Sequence, residues 1–381
     1  MLYRQLGKTG IDISVLGFGC MRLPVIDRKQ EMIDYPASAR LIYHAIENGV
    51  NYIDTAYFYH AQVFGQKGES EPFLGKTLSG GWRQKVNLAT KMPLFILRRK
   101  EQMESYLEEQ LERLKTDYLD FYLLHGLDGE TWDRMCNLGV REFLDKKKAE
   151  GKIRFPAFSF HGQSDDFKRI CDGYDWAYAQ IQYNYMDIDF QAGYEGLKYA
   201  SEKGIGVVVM EPLKGGKLAN NLPGEMESII GSSEIKRSPA EWALRYVWNE
   251  AGVSTLLSGM NSMEQLEENI RISNEAVPGS LSNDESKLFD SLRDAMGARI
   301  KADCTACRYC MPCASGVEIP EVLSALNNAA KWNDSNQWLT GSTRVTGKAG
   351  KCTSCRECEE ICPQGLPISS LMKESLALFR E

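Results

Sequence analysis

The chain has 381 residues, a formal net charge of -7 at pH 7 and a sequence pI near 5.4. An acidic balance argues against a nucleic-acid partner, because a phosphate backbone needs a concentrated basic surface that this chain does not carry. No apolar run approaches the roughly 18 residues needed to span a bilayer, which predicts a soluble protein with no membrane partner.

From the N-terminus, Tyr3–Gly10 and Ile11–Val15 meet at Gly7-Lys8-Thr9-Gly10 and read as a hairpin plugging the bottom of a barrel. Short apolar, β-rich runs then recur at Ile13–Met21, Asn51–Ala56, Val86–Met92, Tyr118–His125, Arg154–His161, Trp176–Asn184, Gly204–Pro212 and Val253–Met260. Amphipathic stretches alternate with them at Ser38–Asn48, Arg99–Leu114, Val140–Glu150, Ala192–Lys203, Pro239–Asn249 and Met263–Ile272. Such alternation over about 300 residues predicts an α/β fold, a parallel sheet closed into a (β/α)8 TIM barrel. An open doubly wound sheet would usually carry a Gly-rich dinucleotide fingerprint after its first strand, and Gly17-Phe18-Gly19 is not that fingerprint.

In a barrel of this type chemistry belongs at the C-terminal ends of the strands. The second barrel strand ends in Asp54, with Tyr59 five residues on; the third ends in Lys91 and the fourth in His125. Four titratable groups from three successive strands exceed what chance placement would supply. A buried Lys–Asp pair alone would leave Tyr59 and His125 unexplained. His60 adjoins Tyr59 and His161 ends the fifth strand, so both are candidates for the pocket wall, whereas His44 lies on a helix and reads as structural.

Beyond the barrel the composition changes. Of 11 cysteines, eight fall in Cys304-x2-Cys307-x2-Cys310-x2-Cys313 and Cys352-x2-Cys355-x2-Cys358-x3-Cys362-Pro363. This is an iron–sulfur spacing: three thiolates at i, i+3 and i+6 cap one [4Fe–4S] cubane, and the fourth cysteine turns to another cluster. Disulfides fit poorly, since tight x2 triplets make poor bridges and no secretory signal opens the chain. Zinc also fits poorly, because it takes four ligands per site and usually two pairs, not triplets with a distant Cys-Pro. Cys313 is too near Cys310 to reach around to the fourth iron. The expected sets are therefore Cys304, Cys307, Cys310 and Cys362 in one cluster, and Cys352, Cys355, Cys358 and Cys313 in the other. Cys20, Cys136 and Cys171 stand apart and read as buried free thiols. The chain divides into a barrel over 1–296 and a small, mainly helical ferredoxin-like domain over 297–381, with Glu318–Trp332 as one helix. Iron–sulfur clusters need a reducing compartment, which places the protein in the cytoplasm.

The contexts Asn51-Tyr52-Ile53-Asp54-Thr55-Ala56-Tyr57-Phe58-Tyr59, Leu88-Ala89-Thr90-Lys91 and Leu123-Leu124-His125-Gly126 resemble the aldo/keto reductase family. So do Gly68-Glu69-Ser70-Glu71 and the segment from Gly259 to Ile270, and with the cysteine tail the chain resembles that family's iron–sulfur branch. The resemblance implies that NAD(P)H reduces a carbonyl, with Tyr59 donating a proton, Lys91 lowering the phenol pKa, Asp54 holding Lys91 and His125 orienting the carbonyl. Tyr57 is a neighbour of the wrong spacing and reads as wall or core. The resemblance further implies cofactor contacts from Gly19 and Met21, a carboxamide grip from Ser159 and Gln180, and a nicotinamide neighbour in Met210. It implies a pyrophosphate nest in Pro212, Leu213, Gly216 and Lys217, with Gly259, Asn261, Gln265, Glu268 and Asn269 around the adenosine phosphate.

Three departures qualify this. Met210 stands where many members stack an aromatic ring, Phe160 follows Ser159 where Asn is usual, and Gly259 and Gln265 replace basic residues that often hold a 2′-phosphate. The choice between NADP(H) and NAD(H) thus stays open, as does a flavin. A hydride carries two electrons and a cluster passes them singly. The leading reading is a carbonyl reductase or alcohol dehydrogenase whose two [4Fe–4S] clusters are structural or sensing. The alternatives are a reductase coupled to a ferredoxin or flavoprotein through the clusters, and a non-catalytic electron-transfer adaptor.

Overall fold

A computed structural model describes residues 1–63, 65–220, 222–332 and 348–378. It forms two compact units, Met1–Leu218 with Arg237–Leu281, and Ala219–Lys236 with Ser282–Glu381. The sequence expectation places a single boundary at 296. The contacts divide the chain earlier because two helices, Gly224–Ser232 and Asn283–Gly297, group with the C-terminal unit. The second of these begins with a full capping box between Ser282 and Glu285, a strong local start signal.

In the first unit a two-stranded hairpin, β1 (Tyr3–Gln5) and β2 (Asp12–Ser14), pairs Tyr3 with Ser14 and Gln5 with Asp12. Gly7 in its turn has φ +52, and a Cβ there would lie 2.4 Å from the Gly206 nitrogen, so glycine is what lets the hairpin seat under the barrel. Eight parallel strands then close the barrel: β3 (Leu16–Gly19), β4 (Tyr52–Asp54), β5 (Asn87–Met92), β6 (Leu119–Leu127), β7 (Ile153–Phe160), β8 (Tyr178–Gln182), β9 (Gly206–Met210) and β10 (Thr255–Ser258), the last pairing with β3. Their near-continuous burial, as in the Val207-Val208-Val209 run, is what a sheet covered on both faces requires. The barrel interior holds Tyr52, Phe121 and Tyr178, and the two phenols satisfy each other at 2.6 Å.

Register fixes the rim. Gly19 pairs with Asp54, Lys91 with Leu123, Ser159 with Gln180 and Gln182 with Met210, so the candidate residues from six strands arrive at one end of the barrel. The connecting helices include α1 (Tyr35–Glu47), α2 (Ser70–Thr77), α3 (Glu101–Leu114), α4 (Gly193–Glu202), α5 (Pro239–Asn249) and α6 (Met263–Ser273). α1, α5 and α6 start where Asp34, Ser238 and Ser262 accept backbone N–H bonds.

The second unit contains no strand among its described residues. Its core joins Val317, Ile319, Val322, Leu323 and Leu326 from helix Ile319–Trp332 and its approach to Ile368, Leu371 and Met372 from helix Ile368–Leu378. Asn327 ties the preceding segment down, its Oδ1 accepting from the Lys301 and Ala302 nitrogens at 2.9 Å and its Nδ2 donating to the Ala302 carbonyl at 2.6 Å. Around this core lie both cysteine runs. Among the described residues no helix is long and apolar enough to cross a membrane.

Candidate active site and cluster cradles

Lys91, fully buried at the end of β5, is the centre of the barrel site. Its ammonium donates to both Asp54 carboxylate oxygens at 2.7 Å, to the Thr55 carbonyl at 2.8 Å and to the Tyr59 hydroxyl at 3.2 Å. Burial works against this ammonium, but Asp54 and Tyr59 more than offset it and hold Lys91 above its ordinary pKa. Burial likewise pushes the Asp54 carboxyl up, with Lys91 pulling it back.

At Tyr59 burial is the largest influence and raises the phenol above its ordinary value, while Lys91 lowers it from that raised level, the direction expected of a neighbouring cation. His125 on β6 is driven well below its usual pKa by burial, Lys91 and His161, so it is a neutral imidazole at pH 7. Its Nδ1 is buried without a hydrogen-bond partner. The ring lies near Tyr59, Phe58 and Phe95, with centroids 6.3, 6.1 and 5.7 Å away. All four tetrad candidates therefore converge.

The loop after Tyr59 is pinned by its backbone. Gly68 donates to the Tyr57 carbonyl at 2.8 Å and Ser70 to the Tyr59 carbonyl at 3.2 Å. A Cβ at Gly68 would fall 1.9 Å from the Tyr59 oxygen, so no other residue fits there. Behind Lys91, buried Glu71 accepts from Thr90 at 2.7 Å, Gln110 at 2.6 Å and Arg113 at 2.9 Å, and Gln110 also holds the Lys91 carbonyl at 3.1 Å. Tyr57 donates to Glu109 at 3.1 Å and belongs to the wall.

The candidate cofactor residues fall into three groups. Ser159 and Gln180 sit buried side by side on β7 and β8. Ser159 Oγ accepts from the Gly126 nitrogen at 2.8 Å, while Gln180 donates to the Met210 sulfur at 3.6 Å and leaves its Oε1 buried without a partner. An orphaned amide oxygen is the acceptor a carboxamide N–H needs, so this pair fits a nicotinamide. After β9, Glu211, Lys214, Gly215 and Gly216 all have positive φ, turning the backbone of Pro212, Leu213 and Lys217 into a sharply wound loop. At β10, Asn261 donates its N–H to Gln265 at 3.0 Å, Glu268 accepts from Ser238 at 2.6 Å and Asn269 donates to Ser258 at 2.9 Å. The side chains of Gln265, Glu268 and Asn269 are thus already engaged, and Asn269 is buried.

Sequence reasoning missed Arg22. From the turn after Gly19 and beside the exposed Met21, its stem covers Gly259, where a Cβ would meet it at 3.2 Å, and its guanidinium lies 3.6 Å from Glu211. It brings a guanidinium beside β10 from the turn after the neighbouring strand β3, and no spacing rule connects the two. In front of Tyr59 an open cavity of about 760 Å³ is lined by Met21, Arg22, Gln30, Phe58, Tyr59 and His60 among others. His161 is exposed at the rim, its Nδ1 3.3 Å from Gln191.

In the second unit, Cys304, Cys307, Cys310 and Cys362 line one cavity together with Ile319, Pro320 and Leu366. The backbone repeats itself around the two runs: Ala306 and Arg308 have φ 54 and 63, and Ser354 and Arg356, at the same offsets from Cys352, have φ 58 and 67. Two non-glycine residues in left-handed conformation, twice over, mark a cradle that wraps something not made of protein. Loop residue Ser315, two beyond Cys313, has its hydroxyl 3.5 Å from that of Thr353 in the second run. The donor set fits a cluster, with the four thiols of Cys304, Cys307, Cys310 and Cys362 around one cavity. Cys20 and Cys171 are buried and Cys136 is half-buried, all outside these cradles.

The sequence matches the aldo/keto reductase family over residues 15–294 and a 4Fe-4S dicluster domain over residues 303–367. It is 28% identical over 288 residues to L-galactose dehydrogenase of Arabidopsis thaliana, spanning 70% of this chain and 86% of that protein. An uncharacterized oxidoreductase of Bacillus subtilis, YrpG, is 29% identical over 266 residues, 62% of this chain and 73% of its own length. Among solved structures, the holo form of an aldo-keto reductase from Bacillus halodurans superposes with a TM-score of 0.63 at 28% identity, covering 77% of this chain and 96% of that one.

Proposed function

Since the chain belongs to the aldo/keto reductase family and is an oxidoreductase with an added 4Fe-4S dicluster domain, we propose that its barrel interconverts a small-molecule carbonyl and the corresponding alcohol with Tyr59 as the proton donor. The observation that carries this reading is the Tyr59 hydroxyl 3.2 Å from a buried ammonium that Asp54 holds charged. NADP(H) or NAD(H), held by Gln180, Ser159 and the wound loop after β9, supplies or accepts the hydride when bound. Neutral His125 then offers an N–H to the carbonyl oxygen, which draws charge toward that oxygen before the proton arrives. Tyr59 gives its proton to the oxyanion as it forms, and Lys91 stabilises the phenolate left behind. Phe58 and Phe95 set apolar rings beside the His125 imidazole, with centroids 6.1 and 5.7 Å away. A panel of aldehydes and ketones with NADPH and NADH tests the proposal; wild-type protein with loaded clusters that turns over none of them, while Tyr59→Phe binds the nucleotide equally well, would count against it.

A second reading has its own observation. Cys307 and Cys355, the middle cysteines of the two runs, are exposed, as a cluster that exchanges electrons with an external ferredoxin or flavoprotein would require. On this reading the clusters relay single electrons, and a flavin has to divide the hydride pair. Reduced ferredoxin as sole donor discriminates: substrate reduction without nicotinamide supports the relay, and its absence leaves the clusters structural or sensing.

A further inference from the structure

His60 follows Tyr59 directly and is 4% exposed. Its φ of +63 is a left-handed conformation, which histidine adopts at a cost that glycine would not bear. A residue kept there has something to hold. The ring Nδ1 lies 2.7 Å from the Gln30 carbonyl oxygen. A carbonyl only accepts, so the proton that makes this bond is on Nδ1, and the Cys20 backbone is the ring's other polar neighbour. Burial keeps the ring neutral by lowering its pKa.

Gln30 belongs to a small hairpin inserted between β3 and α1. Val25 and Ile33 form an antiparallel bridge, Ile26 donates to the Met32 carbonyl at 2.8 Å, and Asp34 donates to the Pro24 carbonyl at 2.8 Å. Asp27 and Arg28 turn its tip with φ 54 and 58, and Ile26 and Met32 stay exposed at 45% and 37%. Leu23 and Ile33 anchor its base in the core, but the tip side has little apolar surface to hold it down. Pro24, Val25 and Gln30 line the same cavity as Phe58 and Tyr59. The hairpin is therefore one wall of the space in front of the proposed acid, and the His60 bond joins that wall to the residue next to the acid.

We propose that His60 is a positioning and specificity residue: its Nδ1–H fastens the Pro24–Asp34 hairpin beside Tyr59 and so fixes the width of the substrate entrance. This rests on the barrel being a carbonyl reductase, but the latch itself is testable without turnover. His60→Gly removes the ring at a φ of +63 that glycine adopts freely. His60→Asn also tolerates the left-handed conformation and places an amide N–H near where Nδ1 stood.

In full-length protein with loaded clusters, His60→Gly should speed amide exchange at Ile26 and Asp34 by roughly three- to tenfold, the worth of one ordinary hydrogen bond, and His60→Asn should restore protection. On carbonyl substrates His60→Gly should raise KM by a similar roughly three- to tenfold, more for small substrates than for bulky ones, with kcat changed less than about threefold. Exchange at Ile26 and Asp34 unchanged by His60→Gly, or a ring that 15N shifts show protonated at Nε2 alone, would overturn the latch. A fall in kcat at constant KM would overturn it too, since His60 would then act on Tyr59. Wild-type protein inactive on every carbonyl removes the reductase reading alone, and the exchange comparison still decides the latch.

Discussion

Replacing Lys91 with Met keeps the side chain's length and removes its charge, so it isolates what the ammonium does. In the wild-type site that ammonium is fully buried, 2.7 Å from both Asp54 oxygens and 2.8 Å from the Thr55 carbonyl. Without it the Asp54 carboxylate is a buried charge with no cation. Breaking one side of a buried pair costs about 3–5 kcal/mol. The stranded Thr55 carbonyl adds about 1 kcal/mol. Asp54 escapes part of this by taking up a proton, which makes the loss depend on pH in a defined direction. In the variant its folded pKa is raised above the unfolded value of about 3.9 by burial that nothing now opposes. A carboxyl raised in the folded state is most favourable at low pH and loses that advantage as pH rises through its folded pKa. The stability deficit should thus be largest above that pKa and shrink by about 1.4 kcal/mol per pH unit on acidification below it.

Urea unfolding followed by tryptophan emission reports the barrel, because Trp82, Trp132, Trp176, Trp242 and Trp248, five of the seven, lie in the first unit. Lys91→Met should lose stability at about pH 7.5 and recover part of it at about pH 5.5. Adding Asp54→Asn should restore most of the loss, since the uncompensated charge is gone. A deficit below about 1 kcal/mol, one independent of pH, or a double variant no better than the single would show that Lys91 and Asp54 are not a coupled buried pair.

Tyr59→Phe should lower carbonyl reduction by roughly 10²–10⁴-fold with unfolding and nucleotide affinity nearly unchanged, and combining it with Lys91→Met should be non-additive because both serve one proton transfer; activity within a few-fold of wild type would move the acid elsewhere. Gln180→Leu should weaken nicotinamide binding about tenfold in a fluorescence titration while leaving unfolding unchanged, because Gln180 Oε1 has no internal partner to lose; equal affinity would place the carboxamide away from β8. Cys362→Ala should abolish the cluster of the first run and Cys313→Ala that of the second, read by iron content and paramagnetic resonance; a Cys313→Ala protein missing only the first-run cluster would show that each run closes its own.

The barrel is legible in the sequence because two periodicities alternate: Val207-Val208-Val209 and Leu123-Leu124 are continuous apolar runs, and helices such as Pro239–Asn249 begin with Ser238-Pro239, a cap and a helix-compatible proline together. The tetrad is legible because each residue lies at or just beyond a strand end. Helices Gly129–Asn137 and Ser164–Asp172 leave a weak signal, being short and carrying only Trp132 and Met135, or Phe167, Ile170 and Cys171, as buried side chains of any size. The hairpin over Pro24–Asp34 has apolar residues only at its two ends, Val25-Ile26 and Met32-Ile33, and is held by backbone bonds, which leave no periodic pattern. Arg22 over Gly259 joins positions that only barrel closure brings together. The earlier unit boundary is hidden because Gly224–Ser232 is separated in sequence from the unit it packs in.

The raised pKa of Tyr59 gives the proposed chemistry a direction. Burial lifts the phenol first and Lys91 only restrains it, so at neutral pH the group is protonated. For reduction that is the competent form, and the oxyanion left by hydride addition is a far stronger base than phenolate, so the transfer runs downhill even from a raised phenol. Oxidation of the alcohol needs the opposite, a phenolate acting as base. Even an ordinary phenol, with pKa about 10, is only about 0.1% ionised at pH 7, and burial reduces that fraction. Reduction should accordingly be nearly flat from about pH 6 to 8, while oxidation of the corresponding alcohol should rise about tenfold per pH unit through the same range and continue above it. His125 does not disturb this comparison, because its depressed pKa keeps it neutral throughout. If both directions showed the same profile, Tyr59 would not be the group that exchanges the proton, and solvent entering the open cavity before it would have to supply one instead.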